Sequence, residues 1–484
     1  MPARVPNAAL NQLRENAGLS QQELADALNN HAAQRHDQHP QITRKTISRW
    51  ERGEVVWPQP FYRRLLAEYF DVAADELGFR KTGQPASPVV GVPTEPLMFP
   101  VAADQPDPRV EADQATWRAT RAALGRNRQS LACLAEGLYP DFRVPGLEHS
   151  GVIAAPDWLP QKPIPLDRIS LVLDPDAPQS AVSGTENATA LLRPLLSSER
   201  RFRSYHAAVR DLAAPRLFEN RLCFRTVALD WSVPTLRMSF GQMGFFDAID
   251  TNEALAHEFA TQHLTGETLV PRASWRRLPF RKLIGNPFDL TRRPVMGAVG
   301  TLTIRGGESP CVVLHQRDSD KVAGGGGMIH LLPAGIFQPS SVIPEAIAED
   351  FSLWRNIQRE YAEELLGHDE YDGSGKPIRY GQLEPFATMD QALADGRIRV
   401  WCLGLTLDAL TLACDILTVA VFQPELYDQL FADAVDSNTE GTVPSRALPF
   451  EENTLTWLRD SQRLSPGAAA ALELAWRHRI DLLR

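Results

Sequence analysis

Cysteine is scarce in this sequence: there are five, at positions 133, 223, 311, 402 and 414, and no C-x-x-C pair. An odd count so spaced excludes a disulfide framework and a zinc knuckle, and points to a reducing compartment. Cations are not in excess either. Fifty Lys plus Arg against 60 Asp plus Glu give a formal net charge of −10, so the chain is not coated with nucleic-acid-binding charge and any DNA contact is confined to one module. No apolar segment of about 7 to 15 residues follows Met1-Pro2-Ala3-Arg4, so a cytoplasmic protein without a secretion signal is expected. The one stretch that suggests a membrane span, Val400 to Phe422, contains Asp408 and Asp415. Each would cost about 2.5–3.5 kcal/mol near the bilayer centre. It reads as two buried strands joined by a turn, and no membrane partner is expected.

What is present supports a multidomain protein. With 43% hydrophobic residues and 484 positions, the chain can bury several cores, about three at roughly 100–200 residues each. Seven prolines between Lys81 and Val110 mark a linker. This gives four segments: an all-α domain at 1–80, a Pro-rich linker at 81–110, an α+β middle domain at 111–293 and a C-terminal domain at 294–484. In the middle segment Glu111 to Glu136 reads as a helix that Gly125 could interrupt. Ile169 to Leu173 and Arg225 to Leu229 read as strands, Glu199 to Leu212 and Glu253 to His263 as helices. In the last segment, strands are expected over Val295 to Ile304, Cys311 to Gln316 and Met328 to Phe337. A loop at Gly324 to Gly327, a long helix from Ala346 to Leu366, strands between Tyr380 and Phe422, and a closing helix from Pro466 to Leu483 complete it.

The first domain carries the clearest signal. Ala8 to Ala17 forms a helix stopped by Gly18. Ser20 then caps the next helix, with Glu23 three residues on as its capping-box partner, leaving Gln21 and Gln22 at an exposed helix start. Thr43 caps a further helix that buries Ile47 and Trp50 and turns Arg44, Lys45, Ser48, Arg49 and Arg52 outward, a face suited to the major groove and its phosphates. The runs Leu-Ser-Gln-Gln-Glu-Leu-Ala and Thr-Ile-Ser-Arg-Trp-Glu-Arg-Gly resemble the Cro/C1-type (XRE) helix-turn-helix family. That resemblance implies a transcriptional regulator bound to a double-stranded DNA operator as a homodimer. Gln21 and Gln22 would touch phosphate, and Thr43, Arg44, Lys45, Ser48, Arg49 and Arg52 would lie at phosphates and base edges. A surplus from Asn30 to Pro40 departs from the family's spacing; it either lengthens the second helix or forms a loop. With eleven cations and ten acids in residues 1–83, the basic surface is local.

The C-terminal domain carries Arg359-Glu360-Tyr361-Ala362-Glu363-Glu364 on its long helix. Three carboxylates on one helical face repel one another unless a cation or a hard divalent metal such as Mg²⁺ neutralises them. With the strand ending at Arg317 and Leu332-Pro333-Ala334-Gly335, this segment resembles the Nudix box, which implies an α/β/α sandwich. Glu360, Glu363 and Glu364 would be metal ligands or catalytic candidates, and Arg317, Gly335 and Arg359 would be ligand-binding residues. The loop after Gly335 is longer than the signature allows and Ser341 stands where a glutamate belongs, with Glu345 or Glu349 as substitutes. A domain that senses a small molecule, a nucleotide derivative, is therefore expected before an active pyrophosphohydrolase. A Mg²⁺-dependent Nudix hydrolase with an attached DNA-binding domain is the alternative, and a dimerising scaffold a third reading.

Other signals carry less. His257-Glu258 has its next histidine at His263, off the zinc-binding helical face. Seven cations between Arg272 and Arg293 against one acid, Asp289, suit either phosphates or acidic neighbouring surfaces.

Overall fold

The structure is a computed structural model. It describes residues 7–17, 19–36, 40, 42–55, 58–70, 77–79, 107–215, 218–231, 235–317, 328–368, 377–432, 434–435, 441–442 and 447–484. Most of the expected linker and the loop Gly324 to Gly327 lie outside the described residues. Two compact units divide the chain, Met1–Ala102 and Ala103–Arg484.

The first unit is helical, with α1 (Ala8–Asn16), α2 (Gln21–His36), α3 (Arg44–Glu51) and α4 (Pro60–Phe70). Leu24, Ala25, Leu28 and Ala32 recur at helical spacing along α2 and meet Leu10, Ile47, Trp50 and Leu66 in one core. The capping box at Ser20 forms as expected: the Glu23 N–H donates to Ser20 Oγ at 3.1 Å, and the Ser20 N–H to the Glu23 carboxylate at 2.7 Å. The surplus segment lengthens α2, which continues to His36; residues 37–39 lie outside the description. Asn29 bridges this excursion. Its side chain donates to the Ile42 carbonyl at 2.7 Å and accepts the Ile42 N–H at 2.8 Å, which fixes the chain at the threshold of α3.

The second unit is mixed α/β. It opens with α5 (Pro108–Glu136), then β1 (Val152–Ile153), β2 (Ile164–Pro165), β3 (Ile169–Leu173), α6 (Tyr205–Leu212), β4 (Leu222–Asp230) and β5 (Leu236–Gly244). Next come α7 (Phe245–Ala248), a π-helical turn at Ile249–Glu253, α8 (Ala254–His263), β6 (Leu264–Thr265), β7 (Thr268–Leu269), α9 (Pro279–Ile284) and β8 (Gly297–Arg305). The strands β9 (Cys311–Val312), β10 (Leu314–Arg317), β11 (Ile329–Leu331) and β12 (Ala334–Ile336) lead into α10 (Pro344–Asp350), α11 (Leu353–Glu364) and α12 (Phe386–Ala394). The last elements are β13 (Ile398–Asp408), β14 (Cys414–Phe422), α13 (Pro424–Leu430), β15 (Gly441–Thr442), β16 (Leu448–Pro449), α14 (Glu452–Ser461), α15 (Pro466–Arg477) and α16 (Arg479–Leu483).

The main sheet runs β1-β13-β14-β8-β9-β16, with β12 against β8 and β2 against β13. β13 and β14 are the two buried antiparallel strands expected over Val400 to Phe422, and β14 runs parallel to β8. Helices cover both faces. On one, the Tyr361 hydroxyl of α11 lies 2.7 Å from Thr303 of β8. On the other, Gly467 of α15 sits against Asp415, whose register partner Ala298 alternates out of phase with Thr303. No described helix is long and apolar enough to cross a membrane.

Four expectations change. The division at 293/294 is not a packing boundary. β1 and β2 pair with β13, the Phe224 N–H donates to the Phe337 carbonyl at 2.9 Å, and one core joins Trp117 to Leu482. The helix expected over Ala346 to Leu366 is two helices, because Ser352 caps a fresh start at α11 while Phe351 packs against Phe224, Phe240 and Phe337. After Tyr380 the chain makes a 3-10 turn and α12 before its strands; Phe386, Met389 and Ala392 recur at helical spacing and are buried. Gly125 does not interrupt α5.

Candidate functional site

In the first unit, α3 presents the expected face. Thr43 accepts the Thr46 N–H at 3.3 Å, Ile47 and Trp50 are buried, and Arg44, Lys45, Arg49 and Arg52 are exposed with Ser48 half-buried. Arg49 and Arg52 converge on Glu54, at 3.4 and 3.3 Å, on the loop after the helix. Gln22 is exposed and donates to Asp26 at 2.9 Å. Gln21 departs from expectation. Its amide is committed to Glu51 at 2.6 Å, so it braces the two helices and is not held out toward solvent.

In the second unit, the structure brings Glu360 against Gly335 and Glu364 against Ala334, while Arg359 pairs elsewhere. Arg359 is buried and points away from the helix carboxylates. It pairs with Asp350 at 3.1 Å, donates to the Tyr380 hydroxyl at 2.8 Å and reaches the Gln338 carbonyl at 2.5 Å. Asp350 also accepts from Ser340 and from Tyr380, so it occupies the place sought for Glu345 or Glu349, both of which are exposed. Glu364 is buried and accepts the Ala334 N–H at 3.0 Å. Glu360 lies so close to Gly335 that a Cβ there would meet its carboxylate, which would have to shift. Among the described residues no three His, Cys, Asp or Glu side chains are placed to hold a metal ion. The backbone of Arg317 belongs to β10, and its side chain lies outside the described residues.

The basic run from Arg272 to Arg293 has a structural explanation in part. Arg281 and Arg293 are fully buried, and burial lowers Arg293 to about 10. Arg281 donates to the carbonyls of Ala409 and Leu410, and Arg293 to that of Leu412. Together they pin the β13–β14 turn. The pair His257-Glu258 is likewise internal: His257 meets the Tyr205 hydroxyl at 3.0 Å, and Glu258 accepts two backbone N–H groups at the start of α9.

That pinned turn borders a cavity of about 360 Å³ that sequence reasoning missed. Its walls are the π-helical turn, strands β8, β12 and β14, and the start of α15. Arg128 and Glu253 meet on one side, Nη2 lying 2.7 and 2.8 Å from the two carboxylate oxygens. Burial alone would raise the Glu253 carboxyl, but Arg128 and Arg121 overcome it and hold it below its usual range. Asp408 also lines the cavity; burial raises its carboxyl, although the Leu410 N–H and the Thr411 hydroxyl donate to it. Of the motif residues, Ala334 and Gly335 line this cavity.

A family model described as a helix-turn-helix domain matches residues 8–77. A search among curated proteins finds no relative. Among solved structures, the crystal structure of a Nudix hydrolase from Alicyclobacillus acidocaldarius is similar at 16% identity, covering 37% of this chain and 90% of that one with a TM-score of 0.23, too slight a likeness to carry an argument. Residues 8–77 are a helix-turn-helix domain, and a mixed α/β unit follows it.

Proposed function

We propose that the chain is a transcriptional regulator of the XRE type that reads double-stranded DNA with α3 and binds a small molecule in its α/β unit. The observation that carries the DNA half is α3 itself: a capped helix, anchored by Ile47 and Trp50, that turns Arg44, Lys45 and Arg49 to solvent, with Ser48 half-buried among them. Such a face supplies phosphate contacts and bidentate donors for guanine edges. The helix is short, so two copies on an inverted repeat, about 34 Å apart, are needed for tight binding, and the protein acts as a homodimer. Selection from random duplexes tests this. An enriched palindromic site supports the reading, and enrichment of no sequence contradicts it.

The ligand half rests on the cavity and not on the Arg317, Gly335 and Arg359 constellation, whose arginine is spent on Asp350. The hydrolase alternative has weaker support, since Glu364 is engaged by the backbone of β12. Incubation of the pure protein with nucleoside diphosphate derivatives and Mg²⁺ separates the two: a regulator gives no turnover. Steady turnover that Glu364→Gln abolishes would favour the hydrolase.

A further inference from the structure

The floor of the cavity is one face of the sheet, and its residues are small: Ala298 and Gly300 on β8, Ala334 on β12, and Ala413 just before β14. Large apolar side chains ring it, among them Phe245, Ile249, Met296, Met328, Leu331 and Leu417. An apolar protein cavity of about 150 Å³ holds one benzene molecule. At about 360 Å³ this one has room for two fused rings, or roughly twelve to fifteen non-hydrogen atoms.

The charges at its wall answer one another. Arg128 places Nη2 2.7 and 2.8 Å from the two oxygens of Glu253, and Arg221 lies 3.3 Å from Glu219. Asp408 accepts the Leu410 N–H at 2.9 Å and the Thr411 hydroxyl at 2.8 Å. Asp415 and His330 are engaged as well. A ligand with a net charge would enter an apolar space whose counter-charges are already taken. It would have to break one of these pairs or stay unmatched, and both are costly away from water.

The neutral groups point the same way. The amide of Asn252 and the hydroxyl of Ser465 line the wall, and such groups suit a single hydroxyl or carbonyl on a ligand. Ile249, Asn252 and Glu253 reach the cavity from the π-helical turn, a geometry that concentrates at functional sites.

We propose that this cavity binds an uncharged, largely apolar molecule about the size of two fused rings, carrying at most a hydroxyl or carbonyl group. The proposal rests on the small-molecule reading above and names its ligand class. Nucleotide derivatives do not belong to that class, because a diphosphate brings at least two negative charges to a wall where Arg128 and Arg221 are both paired.

Calorimetry on the full-length protein tests it. The neutral probe is 2-naphthol, set beside 2-naphthoate and 2-naphthylmethylammonium, which add one charge to the same rings, and beside guanosine diphosphate. The naphthol should bind with a Kd below about 1 mM, and the charged analogues and the nucleotide at least about tenfold more weakly. Ala298→Leu and Ala413→Leu each fill the floor and should weaken the naphthol at least about tenfold in a protein that keeps its melting temperature. The comparison of probes on the parent protein stands even where a leucine variant fails to fold. Absence of naphthol binding, equal or tighter binding of a charged analogue or of guanosine diphosphate, or parental affinity in both folded variants would overturn the proposal. Naphthol binding that leaves operator affinity unchanged would support the site and count against the sensor reading; operator control by a charged molecule, with no naphthol bound, would contradict the site alone.

Discussion

The side-chain amide of Gln21, the first residue of α2, donates to the carboxylate of Glu51, the last residue of α3, at 2.6 Å, while Arg14 of α1 holds the other oxygen at 2.6 Å. One buried carboxylate thus fixes the angle between the two helices of the turn. Glu51→Ala should cost the helical unit about 2–3 kcal/mol, because Arg14 is left half-buried without its partner, and Gln21→Ala about 1 kcal/mol. Urea unfolding followed by Trp50 fluorescence measures both. A Glu51→Ala protein as stable as the parent would show that the bridge carries no weight.

Gly125 sits in mid-helix on an exposed face of α5, and a Cβ there would meet nothing within 4 Å. Glycine's extra freedom in the unfolded chain is therefore lost without compensation. Gly125→Ala should stabilise the α/β unit by about 0.5–1 kcal/mol, read as a raised denaturation midpoint with unchanged slope. A lowered midpoint would mean that the glycine serves some contact.

Arg281 is the hinge pin of the β13–β14 turn, with Tyr139, Ala409 and Leu410 as acceptors for its two terminal nitrogens. A lysine keeps the charge and loses the fork. Arg281→Lys should cost about 3 kcal/mol and weaken ligand binding as well, since the same turn carries Asp408 and Thr411 into the cavity. A change in stability alone, with ligand affinity intact, would separate the turn from the site.

Burial, reinforced by the nearby Arg121 charge, pushes His257 down to about 3, and its ring stacks on Trp117 beside Tyr205. An unfolded histidine titrates near about 6.5. Between those values the unfolded chain holds the proton and the folded chain does not. Stability is therefore complete above about pH 6.5 and falls as the pH drops, by up to about 1.4 kcal/mol per unit from this group. In His257→Gln that share of the slope should vanish. Denaturation at pH 7, 6 and 5 for both proteins gives the difference, and parallel pH curves would refute the assignment.

Local chemistry made part of this fold readable from sequence. Ser20 with Glu23, and Thr43 before Ile47 and Trp50, declare helix starts within four residues, and Asp408 and Asp415 inside an apolar run marked a hairpin and not a span. What stayed hidden depends on distant partners. Nothing near Gln21 announces Glu51 thirty positions later, and Arg359 seemed free to serve Glu360 until Asp350, across a helix break at Ser352, claimed it. Arg281 and Arg293 read as part of a run suited to phosphates or to acidic neighbouring surfaces, because formal charge is silent about burial. The cavity was invisible for the same reason, since its lining comes from segments between Arg128 and Ala468.

The measurement closest to the central claim is the affinity of the full-length protein for its selected operator, taken at two salt concentrations, for the parent, Arg44→Ala and Lys45→Ala. A recognition helix predicts binding on the order of 10⁻⁸ M or tighter, a loss of about 1–3 kcal/mol in Arg44→Ala, and a salt slope shallower by about one in Lys45→Ala. Equal affinities and equal salt slopes for all three proteins would contradict the assignment of α3 to DNA.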